Sequence, residues 1–414
     1  MVMSSRNGPI LERRMERRLY LANRPVIHAF YELTRRLGPV VTVPGIGRVI
    51  NDAAVARAIL TTPDQFNSHD PGSFGAMITE TIGSEALINM DGAAHRSLKQ
   101  DLGATFSPRY IKAVVDAAAG PRLAALDRGL RAGETVDFAA FMRQYGCAMA
   151  CALIGITLDP ETEAAAFEDI FAIATDIMAF AGSGKARLTM AERDAARALA
   201  VRLSVYIRAS FEGADAPPHS LTARLRAQGL PFEKVRDMVS VVLIGAIELV
   251  IYGLPRALAV MIDSGALPQV QRAPEQIDAA INEALRLTTP SNAILRAVGQ
   301  DCEILGHRFR RGERLIIAFR NIMRDPALFD QPERFDLQRQ IPLDLRRLMF
   351  GAGPHACLGA ALTLAEMRQI FALIAELPAP LAIGTRARNR GKLYPGYTRL
   401  DIRLDQGLVS KAAI

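Results

Sequence analysis

One glycine-rich segment carries most of the chemistry that this sequence could perform. It reads FGAGPHACLG over residues 350–359 and directly precedes a predicted helix. Glycines such as Gly351 and Gly359 permit the backbone to approach a flat ligand closely. A cysteine at a helix start has its thiolate favoured by the helix dipole and by free N–H groups. Cys357, shielded by Phe350, is therefore a candidate axial ligand for haem iron, and His355 could pair with an acidic group of that cofactor.

Two other interpretations of this segment stay open at this point. Cys357 could be a catalytic nucleophile, which would need a basic histidine nearby in the fold. It could also be a free buried cysteine beside a flexible loop. The full pattern F-G-x-G-x-H-x-C-x-G favours the haem interpretation, because its chance occurrence is on the order of 10⁻⁶ per chain of this composition.

The segment and the motifs upstream of it resemble cytochrome P-450, the haem-thiolate oxygenase family. The resemblance extends from a hairpin near residue 40 to the C-terminus and is strongest between residues 280 and 370. It implies a mainly α fold with a minor β part, a triangular helical body with small β-sheets, and one catalytic domain over residues 1–414. It also implies haem b (iron protoporphyrin IX) as the cofactor, with Cys357 as the proximal iron ligand.

Hydrophobic periodicity predicts the elements that must position these residues. The β-rich portions are expected at about 38–66 and 290–325 and at the C-terminus, and the helical portions at about 92–289 and 358–376. Residues 67–90 and 325–356 are predicted to be mostly irregular. The apolar run Met238–Leu254 is predicted to be a buried core helix rather than a membrane span, since it is short and contains Glu248.

Two charged residues in a predicted helix are spaced to pair. Glu283 and Arg286 lie at i, i+3 in the run NEALRL. In the family this pair joins an arginine of a Pro-x-Arg-Phe segment, which here supplies Arg334. The resemblance therefore implies a buried ionic network of Glu283, Arg286 and Arg334 that fixes the loop below the haem.

The resemblance also implies partners for the two haem propionates. The family usually offers a histidine and an arginine four residues apart on one helix, and this sequence has His95 and Lys99. The lysine offers one compact ammonium charge, whereas the guanidinium of the usual arginine can donate two parallel hydrogen bonds. Arg296 and His355 match two further propionate contacts.

The apolar helix containing Glu248 is expected to cross the distal face of the haem. The family pattern places two small residues, one variable residue, an acid and then a threonine, and the matching residues are Gly245, Ala246, Glu248 and Leu249. Leu249 departs from the pattern because leucine cannot donate a hydrogen bond. A water, a substrate hydroxyl or Tyr252 could compensate. Alternatively, the enzyme could use peroxide or catalyse a rearrangement, dehydration or coupling.

Composition and charge limit the remaining functions. The chain has 414 residues, a net charge of +7 and acids interspersed among its basic residues, so nucleic-acid binding is not expected. Cys147 and Cys151 lie four apart in an apolar stretch and are predicted to be core residues. The N-terminus shows no signal-peptide pattern, and a cytoplasmic protein without a membrane span is expected.

The expected reaction is a monooxygenation of a small lipophilic molecule, such as a terpenoid or polyketide, in an apolar pocket. Electrons are expected from a separate ferredoxin and its reductase. The ferredoxin would dock on basic residues near the cysteine side. These basic residues are Arg109, Lys112, Arg339, Arg346 and Arg347. A non-enzymatic haem protein that senses a ligand is the second alternative.

Overall fold

Helices dominate the described part of the chain, which comprises residues 11–182, 185, 187–213 and 217–405 of the computed structural model. They confirm the predicted mainly α class with a minor β part. The α-helices are α1 (Leu11–Asn23), α2 (Pro25–Leu37), α3 (Ala53–Thr61), α4 (Phe74–Thr81), α5 (Gly92–Gly103), α6 (Pro108–Arg131), α7 (Phe138–Ile154), α8 (Glu163–Ala181), α9 (Met190–Glu212), α10 (Leu221–Ala227), α11 (Phe232–Asp263), α12 (Leu267–Arg272), α13 (Ile277–Thr288), α14 (Phe319–Ile322), α15 (Leu343–Leu348) and α16 (Ala360–Ala375).

The strands form three small sheets. A five-stranded sheet has the order β1-β2-β8-β5-β3, a three-stranded sheet has the order β4-β10-β9, and β6 pairs with β7. The strands are β1 (Val40–Val43), β2 (Gly47–Ile50), β3 (Phe66–Asn67), β4 (Val136–Asp137), β5 (Ile294–Val298), β6 (Cys302–Ile304), β7 (His307–Phe309), β8 (Arg314–Ile317), β9 (Leu381–Arg388) and β10 (Tyr397–Leu404).

The predicted hairpin near residue 40 is present as β1 and β2. The two strands pair antiparallel with Val40 opposite Ile50, and Gly45 turns the chain at a positive φ of 74°. Glycine adopts this conformation without the steric cost that a Cβ imposes. The hairpin joins the larger sheet through a parallel pairing of β2 with β8.

Helix α11 lies at the centre of the helical body. It packs on α7, α8, α9 and α13, and its apolar side chains take part in the two largest hydrophobic clusters. The run Met238–Leu254 is therefore a core helix, as predicted, and it continues through Pro255 to Asp263. Cys147 and Cys151 on α7 are buried core residues, also as predicted.

Two segments predicted to be irregular contain helices. Residues 67–90 include α4, whose Ser73 side chain accepts a hydrogen bond from Ala76 N and caps the helix start. Residues 325–356 include the short helix α15. By length and composition alone, α11 and the run Gly353–Ala375 could each cross a membrane, but two such helices are weak evidence and most of the apolar part of α11 is buried in the fold.

Candidate active site

The cysteine loop is held in a tight backbone conformation just before α16. Cys357 N donates a hydrogen bond to Phe350 O at 2.8 Å, which closes the loop. Gly351 and Gly353 adopt positive φ angles of 81° and 67°. A side chain at Gly353 would also collide with the backbone of Leu60 on α3. Glycine is therefore required where the loop passes α3.

The Cys357 thiol is accessible from a cavity but has protein atoms on most sides. Burial raises the pKa of this thiol, and the backbone N–H of Gly359, the Lys99 ammonium and the N–H of Ala360 each lower it. The net direction is upward, so desolvation outweighs the helix-start effect that the sequence analysis emphasised. Iron ligation would favour the thiolate, because a metal ion stabilises the deprotonated form of its ligand.

Helix α5 brings two of the predicted cofactor residues to the cysteine loop. His95 is buried, its ring lies 4.3 Å from the ring of His355 between centroids, and its Nδ1 has no partner. Burial and the neighbouring His355 and Lys99 lower the pKa of His95 to about 4, so its imidazole is neutral. Lys99 Nζ donates to the carbonyls of Pro354 and Ala356, the latter at 2.7 Å, so it supports the loop directly.

His355 and Arg296 differ in how far their hydrogen-bonding groups are already used. His355 Nε2 lies 2.8 Å from Asp91 Oδ1, a contact that the sequence analysis missed. Arg296 is buried on β5, and its Nη1 donates to Leu295 O. No carboxylate lies within 4 Å of the Arg296 guanidinium among the described residues. Burial lowers the pKa of Arg296 to about 10, an effect that the charge of Asp91 partly opposes.

The buried ionic network contains two of its three predicted members. Arg286 donates from Nε and Nη2 to the two oxygens of Glu283, each at 2.7 Å, and Nη1 donates to the carbonyls of Met323 and Pro332. The prediction of Arg334 as the third side chain is wrong. Arg339 Nε donates to Glu283 Oε1 at 3.0 Å, whereas Arg334 is exposed and contributes only its carbonyl. Arg339 is consequently also unsuited to the surface docking role predicted for it.

One side of α11 is incompletely packed by protein. Gly245 is exposed, and a Cβ built there would meet no heavy atom within 4 Å. Leu249 is half-buried and lies on the same side of the helix as Gly245, since it follows by four residues. The half-buried Ala246 precedes Leu249 by three residues and borders that side. Ala246 packs against the same hydrophobic cluster as Leu358, the neighbour of Cys357. The fold thus brings this side of α11 and the cysteine loop to one region.

Glu248 lies on a more buried side of α11 than its neighbours Gly245 and Leu249. Its side chain is buried, and neither carboxylate oxygen has a hydrogen-bond partner. Burial raises the pKa of Glu248 well above its ordinary value, while Lys392 lowers it and Asp176 raises it further. Burial therefore favours the neutral, protonated form of this carboxyl group. Tyr252, one turn later, is also buried, and burial and Glu248 raise its pKa to about 12.

A cavity of about 810 Å³ opens beside the cysteine loop. Its floor is apolar, with Phe350, Ile281 and Leu364 around Cys357, and arginines from three helices line its rim. Arg346 and Arg347 of the predicted docking set belong to this rim, whereas Arg109 and Lys112 on α6 do not line the cavity. Arg57 and Arg368 are two further lining arginines that the sequence analysis did not identify.

Comparison with known proteins supports the resemblance to cytochrome P450. Residues 275–376, which include the Glu283–Arg286 pair and the cysteine loop, match the family model described as Cytochrome P450. The resemblance to cytochrome P450 is confirmed for this region. The fold of the chain agrees over nearly the whole length: the crystal structure of P450BioI in complex with hexadec-9Z-enoic acid ligated acyl carrier protein superposes with a TM-score of 0.77 at 18% identity, covering 91% of this chain and 97% of that chain.

Curated relatives match this chain over a shorter region. A Mycobacterium tuberculosis protein assigned as cytochrome P450 140 is 32% identical over 176 residues, which are 41% of this chain and 39% of that protein. The 20-oxo-5-O-mycaminosyltylactone 23-monooxygenase of Streptomyces fradiae is 30% identical over 170 residues, which are 41% of this chain and 40% of that protein. The chain thus spans about two fifths of the length of these relatives.

The family implies a haem cofactor, and the residues present fit one. Arg296 is a buried cation with no carboxylate within 4 Å among the described residues, and His95 is buried with an unpartnered nitrogen, so both suit an acidic cofactor group. Cys357 would supply the sulfur ligand, and Gly245 leaves open space on α11. His355 and Lys99 are instead engaged by Asp91 and by loop carbonyls, so their direct role is to position the cysteine loop.

Proposed function

We propose that this chain is a haem-thiolate monooxygenase that oxidises a small lipophilic molecule. The observation that carries the proposal is the Cys357 loop, with N–H donors from the start of α16 around the sulfur and a buried, unpaired Arg296 on β5. In the reaction one oxygen atom of dioxygen enters the substrate and the other leaves as water, with two electrons and two protons supplied. Haem b, when bound through Cys357, supplies the oxygen chemistry.

The chain's own residues hold the cofactor and exclude water from the reacting side. Arg296 and His95 bind its acidic groups, and Lys99 and His355 fix the loop that carries Cys357. Gly245 and Ala246 keep side-chain bulk away from the reacting side. The resemblance implies a pocket lined by Phe74, Met77, Ile78, Ile82, Ile177, Met178, Phe180, Ile244, Ile294 and Tyr397. The first eight belong to or pack against one hydrophobic cluster, whereas Ile294 and Tyr397 pack in two others. Their apolar character supports a lipophilic substrate.

The electron donor is proposed to be an acidic ferredoxin, served by its own reductase. The cavity beside Cys357 has an apolar floor and an arginine rim, a combination that suits a protein with acidic residues around an apolar contact. Arg347 is exposed and has no ion pair among the described residues, so its charge is available to a partner. A cytoplasmic location is proposed on the same basis, because such donors act there.

The test is the absorption spectrum of the dithionite-reduced protein with and without carbon monoxide. A strongly red-shifted Soret band is expected for the unmodified protein, and its loss is expected in Cys357→Ala. Cys302→Ala is the matched control, since Cys302 lies on β6, outside the residues that line the Cys357 cavity, and should leave the band unchanged. Absence of haem from the purified protein, or an unshifted band, would contradict the proposal.

A second candidate function keeps the haem but not the use of dioxygen. Leu249 lies on the incompletely packed side of α11 where the family pattern has an alcohol, and leucine offers no hydrogen bond there. Peroxide-driven oxidation, rearrangement, dehydration or coupling would need no such alcohol. Leu249→Thr separates the two candidate functions. If dioxygen is used, the variant should form more product per molecule of reduced nicotinamide consumed in the ferredoxin system. It should leave peroxide-driven turnover unchanged if peroxide is the natural oxidant.

A further inference from the structure

The exposed apolar side chains of this protein are concentrated on its first two helices and the following hairpin. On α2, Val26, Leu33 and Leu37 are 78%, 59% and 62% exposed. Their spacing of seven and four residues places them on one side of the helix. We call this set the N-terminal apolar surface: Leu21, Val26, Ile27, Leu33, Leu37 and Ile46.

The opposite side of α2 is already fixed to the body of the protein. His28, Tyr31 and Thr34 are buried there. Asn321 Nδ2 donates to Tyr31 O at 3.0 Å and to Asn51 Oδ1 at 2.8 Å, and Asn51 Nδ2 donates to Thr34 O at 2.9 Å. The exposed side of α2 is therefore presented on a rigid helix, and none of the described residues covers it.

The charges around the N-terminal apolar surface are predominantly positive. Arg17 and Arg18 are exposed one turn before Leu21, and Arg36 is exposed next to Leu37. Glu16 and Glu32, the acids of these two helices whose side chains the structure describes, are turned towards buried arginines instead. Glu16 lies 2.7 Å from the Arg256 guanidinium, and Glu32 lies 3.0 Å from that of Arg320.

We infer that the N-terminal apolar surface binds an anionic lipid bilayer, with α2 lying along the headgroup region. A helix that exposes an apolar stripe beside arginines inserts its apolar side at the lipid interface, while the arginines contact anionic headgroups. A second copy of the chain is a poorer occupant, because pairing two such surfaces would bring the exposed arginines of both copies together.

This location has a consequence for substrate access, which rests on the proposed function. Arg24, between α1 and α2, donates to Gly182 O at 2.6 Å and to Gly391 O at 2.8 Å. Gly182 ends α8 and packs closely on Leu393. The resemblance to cytochrome P-450 implies that the segments near 170–185 and 395–399 border the substrate pocket. A bilayer at α2 would place a lipophilic substrate, dissolved in lipid, next to these segments.

Co-sedimentation of the full-length protein with lipid vesicles tests the inference. Vesicles of phosphatidylcholine alone are compared with vesicles of equal parts phosphatidylcholine and phosphatidylglycerol. The protein is expected to sediment with the anionic vesicles, less at high salt. The double variant Leu33→Glu, Leu37→Glu should weaken its partitioning by about tenfold or more, since it places two carboxylates on the apolar side.

Val201→Glu with Val205→Glu is the matched control. These valines are also four residues apart on a helix, α9, and are 61% and 64% exposed, so the two double variants change charge and exposed apolar area similarly. The control should partition like the unmodified protein. Thermal unfolding of both variants checks that each is folded. Sedimentation needs no turnover, so it is read independently of haem content and of activity.

Four results would overturn the inference. One is failure of the unmodified protein to sediment with anionic vesicles. Another is equal partitioning of the two double variants. The third is equal binding to vesicles of phosphatidylcholine alone, because the anionic headgroups would then contribute nothing. The fourth is self-association in analytical ultracentrifugation that Leu33→Glu, Leu37→Glu abolishes, without any vesicle binding, because the surface would then bind a second copy of the chain.

Discussion

The Asp91 carboxylate joins His355 of the cysteine loop to His69 of the segment after β3. Its Oδ1 lies 2.8 Å from His355 Nε2, and its Oδ2 lies 2.9 Å from His69 Nδ1. Burial raises the pKa of Asp91, but hydrogen bonds from His355, from the N–H of Ser68 and from His69 outweigh that effect and lower it to about 2. Asp91 is therefore a carboxylate anion that links the two segments across the candidate site.

Replacement of Asp91 should loosen the cysteine loop. Asp91→Ala leaves His355 Nε2 without its acceptor, and we expect the free energy of unfolding to fall by about 1–3 kcal/mol. Haem uptake per protein should fall as well. Urea unfolding and the ratio of Soret to protein absorbance measure the two effects. The control is His69→Ala, which removes only the half-exposed outer partner; an equal loss in that variant would show that the His355 contact contributes nothing.

The ionic network below the cysteine loop gives a direct comparison of two arginines. Arg339→Ala removes a side chain bound to the buried Glu283, and loss of one partner from a buried ion pair costs roughly 3 kcal/mol. Arg334→Ala removes an exposed side chain and should change the free energy of unfolding by less than about 0.5 kcal/mol. Chemical denaturation of both variants measures the difference. Equal losses would contradict the placement of Arg339 in the network.

Sequence reasoning succeeded where a role depends on neighbours along the chain. The i, i+3 spacing of Glu283 and Arg286 predicted a pair, and the two side chains make two hydrogen bonds of 2.7 Å. The apolar run of α11 likewise predicted a core helix. Both patterns are short-range, because helical periodicity fixes which side chains share a face.

Long-range choices could not be predicted in the same way. Arg334 and Arg339 lie in an irregular segment without periodicity, so the sequence does not show which side chain turns inward to Glu283. Asp91 precedes α5 and resembles a helix cap, yet it contacts a histidine 264 residues later. The direction of the Cys357 pKa was also missed, since desolvation depends on the packed structure around the thiol.

Charge reversal at the rim of the Cys357 cavity should weaken ferredoxin-driven turnover. Arg347 is exposed and Arg346 is half-buried, and both line the cavity. With Arg347→Glu we expect the KM for an acidic ferredoxin to rise by about tenfold at low salt, since rim charges steer association. The effect should shrink as salt screens the charges. Arg109→Glu on α6 is the control. An equal rise of the KM for the ferredoxin in that variant would show that the effect does not depend on the cavity.

A buried carboxyl on α16 makes a prediction about pH. Glu366 is buried, its Oε2 has no hydrogen-bond partner, and burial raises its pKa to about 8. In the unfolded chain the same group loses its proton near its ordinary pKa of 4.5. Between these values the folded state binds more protons than the unfolded state, so the free energy of unfolding falls as pH rises from about 4.5 to about 8.

Glu366→Gln should remove this part of the pH dependence. The variant has no proton to lose at that position, so at pH 8 it should be more stable than the unmodified protein by roughly 2–5 kcal/mol. Urea unfolding at several pH values between about 5 and 8 measures the two curves. Glu376→Gln is the control, because Glu376 is exposed at the end of the same helix and its replacement should leave the curve unchanged. Parallel curves for the unmodified protein and Glu366→Gln would contradict a raised pKa at Glu366.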